Sequence, residues 1–140
     1  MANKAQLDST YLTMARVWSQ LSKAKRKQVG CLIIKNNQII SDGFNGTPTG
    51  FDNDCEDGLG ITKPEVLHAE SNAITKLAKS SSSSYEATLY STLSPCFDCS
   101  KLIIQAGIKR VVFSEKYSCD KGIKLLSKSG VEIIWIPNKS

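Results

Sequence analysis

The chain has 140 residues, 41% of them hydrophobic, and a formal net charge of +5. This length suits a single domain over residues 1–140, and neither a secretory leader nor an apolar run of membrane-spanning length is present. Five cysteines, two of them spaced as CxxC, indicate metal or redox chemistry in a reducing, cytoplasmic compartment rather than a disulfide framework.

Hydrophobic spacing and turn residues predict nine elements. In chain order they are helix 8–21, strands 29–34 and 38–43, helix 65–79, strand 87–93, helix 95–106, strand 108–113, helix 121–128 and strand 131–136. Asp8 or Ser9 is the expected cap of the first helix. The glycine- and proline-rich segment 45–63 predicts a long loop, and loops of that length are usually functional.

The order of these elements predicts an α/β fold. The first two strands are joined by Asn36-Asn37, which favours a tight hairpin because asparagine tolerates positive φ. Strands that alternate with helices then imply parallel crossovers, and the opening hairpin adds one antiparallel pair. The expected fold is a mixed five-stranded sheet with helices on both faces, in three α/β/α layers.

Four cations lie close together between the first helix and the first strand, namely Lys23, Lys25, Arg26 and Lys27. Such a cluster is typical of a surface that meets a phosphate-bearing partner, either a nucleotide or a nucleic acid. A solvated turn after a helix explains it equally well. The net charge is too small to require a nucleic acid.

Two short segments carry the chemistry: His68-Ala69-Glu70 and Pro95-Cys96-Phe97-Asp98-Cys99. One imidazole and two thiols leave a tetrahedral zinc one open position, as in catalytic zinc sites. Water bound there is a hydroxide source at neutral pH, and Glu70 is then the proton carrier. The pattern matches the signature of zinc nucleobase deaminases.

The spacing constrains the local backbone. Cys96 and Cys99 face the same side of a helix, at its start, where the helix dipole favours thiolates. His68 and Glu70 are about 200° apart around a regular helix, so the helix must begin close to His68. This conflicts with a capped start at Thr62, and the site requirement is the stronger argument.

Other interpretations of the cysteines remain open at this point. The CxxC pair is also typical of a redox dithiol, or of half a structural zinc site. A closed structural site needs a fourth ligand, for which Cys31, Cys55 and Cys119 are the candidates, since His68 is the only histidine.

The sequence resembles deoxycytidylate (dCMP) deaminases of the cytidine deaminase superfamily over residues 20–120. The segments that carry the resemblance are Val29-Gly30, Gly43-Phe44-Asn45-Gly46-Thr47-Pro48, His68 to Ile74, Pro95 to Cys99, and Leu102 to Ile108. It implies a cytidine-deaminase-like fold and hydrolysis of dCMP to dUMP and ammonia for thymidylate synthesis. It also implies a homo-oligomer, often a hexamer, that is activated by dCTP and inhibited by dTTP with Mg²⁺.

The resemblance implies residue roles position by position. Zinc ligands are His68, Cys96 and Cys99; the proton shuttle is Glu70; substrate-binding residues are Ala69, Asn45, Tyr117 and Lys121; effector- or phosphate-binding residues are Arg26, Phe44, Asn45 and Gly46. Ala69 contributes a backbone amide to the pyrimidine carbonyl. Phe44 replaces the family's usual tyrosine, which removes a hydroxyl from the effector region.

Two rival functions remain. One is deamination of free cytidine or deoxycytidine, or of a base in RNA, which the need for a 5′-phosphate distinguishes. The other is a non-catalytic, zinc-stabilised nucleotide-binding module, which ammonia release from dCMP excludes.

Overall fold

The computed structural model describes residues 2–138. Its elements in chain order are α1 (Lys4–Ser19), β1 (Gly30–Lys35), β2 (Gln38–Phe44), α2 (Ala69–Leu77), β3 (Thr88–Leu93), α3 (Phe97–Gln105), β4 (Arg110–Glu115), α4 (Lys121–Lys128) and β5 (Glu132–Trp135). Within these residues, no helix combines the length and apolar character needed to cross a bilayer.

The strands form one mixed five-stranded sheet in the order β2-β1-β3-β4-β5. The expected mixed sheet is confirmed, but the expectation of one antiparallel pair is wrong. β1 pairs antiparallel with both β2 and β3, whereas β3, β4 and β5 are parallel. The α2 crossover does join two strands of the same direction, but β1 lies between them.

The hairpin between β1 and β2 forms as predicted. Asn36 and Asn37 have φ angles of 52° and 59°, and Lys35 pairs with Gln38 across the turn. Two successive residues with positive φ match the right-handed twist of the strands they connect.

Helices cover both faces of the sheet, so the three-layer arrangement is confirmed. On one face, α1 packs Leu12 and Ala15 against Leu32, Tyr90 and Val112. On the other face lie α2, α3 and α4, which contribute the buried residues Ala69, Ala73, Leu77, Ile103 and Leu126 to the larger core.

The first helix begins earlier than predicted, and the proposed caps Asp8 and Ser9 are wrong. Asn3 caps α1, and its side chain accepts a hydrogen bond from the backbone amide of Gln6. Asp8 lies inside the helix with its side chain buried against Arg110 and Tyr90. Its side chain is therefore committed to a tertiary ion pair rather than to a local cap.

Burial by itself raises the pKa of Asp8. The hydrogen bonds from Arg110 and Tyr90 lower it by more than burial raises it, so the pKa lies below its ordinary value. The Arg110 guanidinium donates to both carboxylate oxygens of Asp8. This buried ion pair joins α1 to β4, a strand of the sheet on which α1 packs.

Candidate active site

His68 is the N-cap of α2, with extended backbone (φ −70°, ψ 157°). A helix start at Thr62 is therefore wrong, and the start required by the site geometry is confirmed. An isolated antiparallel bridge between Gly46 and Leu67 holds the segment before His68 in place. Because His68 precedes the helix and Glu70 is inside it, the two side chains are not bound to the regular helical angle.

The two thiols lie at the start of α3. Cys96 is its N-cap, and its Sγ accepts a hydrogen bond from the backbone amide of Cys99 at 3.4 Å. Gly122 of α4 lies against this turn, where an added Cβ would meet the Pro95 carbonyl oxygen at 2.4 Å. The sequence Pro95-Cys96 is thus held by a helix that can approach only through a glycine.

His68, Cys96 and Cys99 come together as predicted, with their ligand atoms all within 4.8 Å of one another. The Nδ1 atom of His68 lies 3.4 Å from each of the two Sγ atoms. Tetrahedral zinc with ordinary Zn–S and Zn–N bonds separates its nitrogen and sulfur ligands by about 3.6 Å. The donor set and its spacing therefore fit a zinc ion with one position left open.

The electrostatics of the donor set favour a metal. Hydrogen bonds from Cys99 and His68 lower the pKa of Cys96 to about 4, against the effect of burial. The hydrogen bond with Cys96, together with burial, raises the pKa of Cys99. Hydrogen bonding to Cys96 raises the pKa of His68. A thiolate beside a second thiol and an imidazole is a donor set suited to a cation.

Glu70 is buried beside the donor set, with 4% of its surface exposed. Burial raises the pKa of its carboxyl to about 7. A carboxyl with this pKa can both accept and return a proton near neutral pH, which is the property that general acid–base catalysis requires.

A cavity of about 320 Å³ opens onto the donor set. Its lining residues are Ala24, Arg26, Lys27, Val29, Asn45, Cys55, Glu56, Thr62, Val66, His68, Ala69, Glu70, Leu93, Ser94, Cys96 and Tyr117. The volume is at the small end of the range for ligand pockets, about 300–1,000 Å³. A small ligand is therefore the suitable occupant.

The structure divides the other predicted site residues into three groups. Arg26, Asn45, Ala69 and Tyr117 line this cavity. Phe44 and Gly46 line a second cavity of about 530 Å³, and Asn45 lines both. Lys121 lies exposed at the start of α4 and is not among the lining residues of either cavity, so its role stays a prediction.

The side chain of Asn45 is used by the backbone of the neighbouring segment. Its Oδ1 accepts from the Val29 amide at 2.9 Å, and its Nδ2 donates to the Lys27 carbonyl at 2.7 Å. One lone pair and one N–H remain for a ligand. Asn45 therefore shapes the cavity wall in addition to the contact that the sequence predicts.

Two of the lining residues that the sequence did not single out hold neighbouring backbone in place. Ser94 precedes the metal turn, and its Oγ accepts from the backbone amide of Tyr117, which holds the loop after β4 at the cavity. Glu56 reaches the basic segment from the long loop. The position of Ser94 directly before Pro95-Cys96 is a usable signal, whereas nothing local to Glu56 indicates its distant partners.

Comparison with known proteins agrees with this site. Residues 5–115 match the family described as the cytidine and deoxycytidylate deaminase zinc-binding region. The fold and the His/Cys/Cys site thus define a zinc-binding hydrolytic deaminase.

Individual relatives indicate which kind of deaminase this chain resembles. The deoxycytidylate deaminase of Enterobacteria phage T4 is 35% identical over 94% of this chain and 91% of its own length. The human deoxycytidylate deaminase is 40% identical over 76% of this chain and 64% of its own. The chain belongs to the deoxycytidylate deaminase family.

A solved structure of this family has the same fold. The dCMP deaminase of cyanophage S-TIM5, in complex with dCMP and dUMP, superposes with a TM-score of 0.93 at 45% identity. The match covers 96% of this chain and all of that one. The expected cytidine-deaminase-like fold is therefore confirmed.

Proposed function

We propose that this protein hydrolyses dCMP to dUMP and ammonia. One observation carries the proposal: the buried Glu70 lies beside the His68, Cys96 and Cys99 donor set, in a cavity that Arg26 also lines. Acid–base chemistry and a cation suited to a phosphate thus share one small cavity. The substrate bound by the S-TIM5 relative supports the same assignment.

In this proposal His68, Cys96 and Cys99 hold the zinc ion. When bound, zinc acts as a Lewis acid that makes a hydroxide nucleophile accessible at neutral pH. Extended backbone at the two N-caps orients the His68 imidazole and the Cys96 thiol, and Cys99 lies in the first turn of α3. The starts of α2 and α3 also place two positive helix ends next to the thiolates.

Glu70 carries the protons of the reaction. Its carboxylate takes one proton from the water that attacks C4 of the cytosine ring and gives it to N3. It then takes the second proton from the hydroxyl group now on C4 and gives it to the departing amine, so that the C4 carbonyl forms as the C–N bond breaks. Water and dCMP are consumed, and dUMP and ammonia leave. Burial keeps bulk water away from this carboxyl, so its proton is delivered to the substrate.

The remaining roles concern substrate binding. The backbone amide of Ala69 meets the pyrimidine carbonyl, Asn45 contacts the sugar, and Tyr117 borders the ring. Arg26 binds the 5′-phosphate, because its exposed guanidinium makes no ion pair within residues 2–138 and lines the cavity. Lys121 is a second phosphate candidate outside the lining.

Regulation and assembly belong to the same proposal. The second cavity, lined by Phe44, Asn45 and Gly46, is the candidate site for dCTP as activator and dTTP as inhibitor, with Mg²⁺ on the triphosphate. We propose that the protein acts in the cytoplasm as a homo-oligomer, with a hexamer as the expected form. The dUMP that it produces supplies thymidylate synthesis.

The test is ammonia release by zinc-loaded protein from dCMP, deoxycytidine, cytidine and single-stranded RNA. We expect dCMP to be the preferred substrate, with kcat/KM at least tenfold above that of deoxycytidine. Preference for a nucleoside or for RNA assigns a different deaminase substrate. No ammonia from any of them indicates a zinc-stabilised nucleotide-binding module.

A Glu70→Gln variant separates chemistry from binding. The amide keeps the size of the side chain but cannot accept the proton, so we expect zinc and dCMP to bind while turnover is lost. General acid–base groups contribute about 10²–10⁴-fold to rate, which sets the scale of the expected loss. Turnover close to that of the parent chain contradicts the role of Glu70.

A further inference from the structure

The segment between α1 and β1, residues 22–29, carries the cations nearest to the active-site cavity and has no regular secondary structure. Ala24, Arg26, Lys27 and Val29 line the cavity. The backbone groups of an irregular segment need partners elsewhere in the fold. Those partners determine where the cations are presented.

One carboxylate supplies partners for two successive amides. The backbone N–H of Lys25 donates to the Oε1 and Oε2 atoms of Glu56 at 3.2 and 3.0 Å. The backbone N–H of Arg26 donates to Oε2 at 3.2 Å. Hydrogen bonds to a charged acceptor are about twice as strong as neutral ones, so this contact fixes the turn at residues 25–26.

Glu56 is itself held by a small hairpin in the long loop. The Lys63 amide donates to the Cys55 carbonyl at 2.8 Å, and the Asp57 amide donates to the Ile61 carbonyl at 2.8 Å. Glu56 forms a bridge with Thr62 between these bonds, and Cys55 is buried with 1% of its surface exposed. The carboxylate is therefore presented from a fixed backbone position, although it lies 30 residues from its partner in sequence.

The other end of the segment is held by Asn45, through the Lys27 carbonyl and the Val29 amide. The basic turn is thus tied on one side by Glu56 and on the other by Asn45. Glu56, Asn45 and Arg26 all line the cavity. The turn is set in place before any ligand arrives.

The two cations of this segment that line the cavity, Arg26 and Lys27, differ in their ion pairs. The Lys27 ammonium forms an ion pair with the Glu115 carboxylate. Within the part of the chain that the structure describes, the Arg26 guanidinium has no such partner, and the Glu56 carboxylate is engaged by backbone amides rather than by that guanidinium. Arg26 is therefore available to an anion in the cavity.

We infer that Glu56 is a positioning residue for phosphate recognition: by holding the Lys25 and Arg26 amides, it presents the Arg26 guanidinium to the 5′-phosphate of the substrate. Fixing a flexible turn in its binding conformation removes an ordering cost from the binding step. A displacement of about 1 Å in a substrate-positioning group can cost up to about 10²-fold. This inference rests on the proposed function and adds a residue without a chemical role of its own.

The test is the preference for dCMP over deoxycytidine in a Glu56→Ala variant. We expect kcat/KM for dCMP to fall about tenfold, mainly through KM, while that for deoxycytidine changes less than about twofold. The matched control is Glu65→Ala, which removes an equal charge from an exposed side chain that makes no ion pair among the described residues. Its preference for dCMP should equal that of the parent chain.

Two further variants separate positioning from a general loss of stability. Glu56→Gln keeps an acceptor oxygen, so it should retain more of the preference for dCMP than Glu56→Ala, and it serves if the alanine variant does not fold. In an Arg26→Ala background, Glu56→Ala should cause no further loss, because the group it positions is gone. Equal losses for both substrates, or additive losses with Arg26→Ala, overturn the inference.

A binding measurement distinguishes failure of this inference from failure of the proposed function. Calorimetric titration of the Glu70→Gln protein with dCMP and deoxycytidine reports the phosphate preference without turnover. If the parent chain shows no preference for dCMP in rate or binding, the proposed substrate is wrong. If that preference exists and survives Glu56→Ala unchanged, only the positioning role is wrong.

Discussion

Replacing Gly122 with alanine should weaken zinc binding while leaving the fold intact. An added Cβ would stand 2.4 Å from the Pro95 carbonyl oxygen and 2.7 Å from the Cys96 carbonyl carbon, whereas ordinary contact begins at 3.4 Å. Both clashing groups are backbone, so no side chain can rotate away. The start of α4 and the Pro95-Cys96 turn must therefore separate by about 1 Å.

The size of this separation sets the expected effect. Ligand distances in a metal site are held within about 0.2 Å, so a shift of this size takes the Cys96 thiol out of register with His68 and Cys99. Changes to the groups that orient metal ligands typically cost about 10–100-fold in metal affinity. We expect a loss in that range, measured by competition with a chromogenic zinc chelator.

The matched control is Gly58→Ala. Gly58 lies exposed in the long loop with no positive φ, and an added Cβ would meet no atom within 4 Å. The control should bind zinc as the parent chain does. If Gly122→Ala also binds zinc normally but unfolds at a lower urea concentration, then α4 gives way instead of the ligand turn, and the reasoning is refuted.

The buried ion pair, the Asn45 contacts and the metal each give a further expected result. Asp8→Asn leaves Arg110 buried without its main partner and should lower the free energy of unfolding by about 3 kcal/mol at neutral pH. Since folding lowers the pKa of Asp8, this stabilisation is complete above about pH 4 and is lost as the pH falls through the folded-state pKa. Urea unfolding of the parent chain and of Asp8→Asn from about pH 7 down to about pH 2 tests this: the difference in stability should shrink as the pH falls below the ordinary pKa of Asp8, and a constant difference would count against it. Asn45→Ala frees the Lys27 carbonyl and the Val29 amide and should raise KM for dCMP about tenfold with a smaller change in kcat, and unchanged steady-state constants would contradict this. Dialysis against a zinc chelator should abolish ammonia release and lower the melting temperature, with both restored by added zinc, whereas activity that persists without metal excludes the zinc assignment.

Much of the fold could be predicted because local signals agreed with the global arrangement. The Asn36-Asn37 pair sets the hairpin, since both residues must adopt positive φ. The start of α2 followed from chemistry: His68 and Glu70 cannot share a site if both lie within a regular helix. That requirement overrode a capping pattern at Thr62 that was only locally plausible.

Other features depend on contacts that sequence periodicity does not contain. The placement of β3 beside β1 rather than beside β2 is a matter of tertiary packing, because both arrangements satisfy the same strand pattern. The sequence predicts Asp8 as a cap because nothing near it points to its partner Arg110, which lies 102 residues away. The contacts of Glu56 could not be predicted for the same reason. Its carboxylate accepts hydrogen bonds from backbone amides, which every residue except proline carries, so the sequence gives no specific signal for them.

The motif residues of the site were easier to find than the walls of the cavity. His68, Cys96 and Cys99 are marked by residue type and spacing, and the structure brings them together. Ser94 and Asn45 act by holding backbone in place, a role that many polar residues perform throughout a fold. Lys121 lies outside both cavity linings, so its contact with the phosphate stays a prediction.

Asn45 lines both cavities, and its side chain is hydrogen-bonded to the backbone of Lys27, next to Arg26. Any molecule that displaces this asparagine from one side alters the space available on the other. Binding at the two cavities is then thermodynamically linked. If a ligand in the second cavity changes the affinity of the active-site cavity for a nucleotide, that nucleotide must change the affinity of the second cavity for its ligand by the same factor.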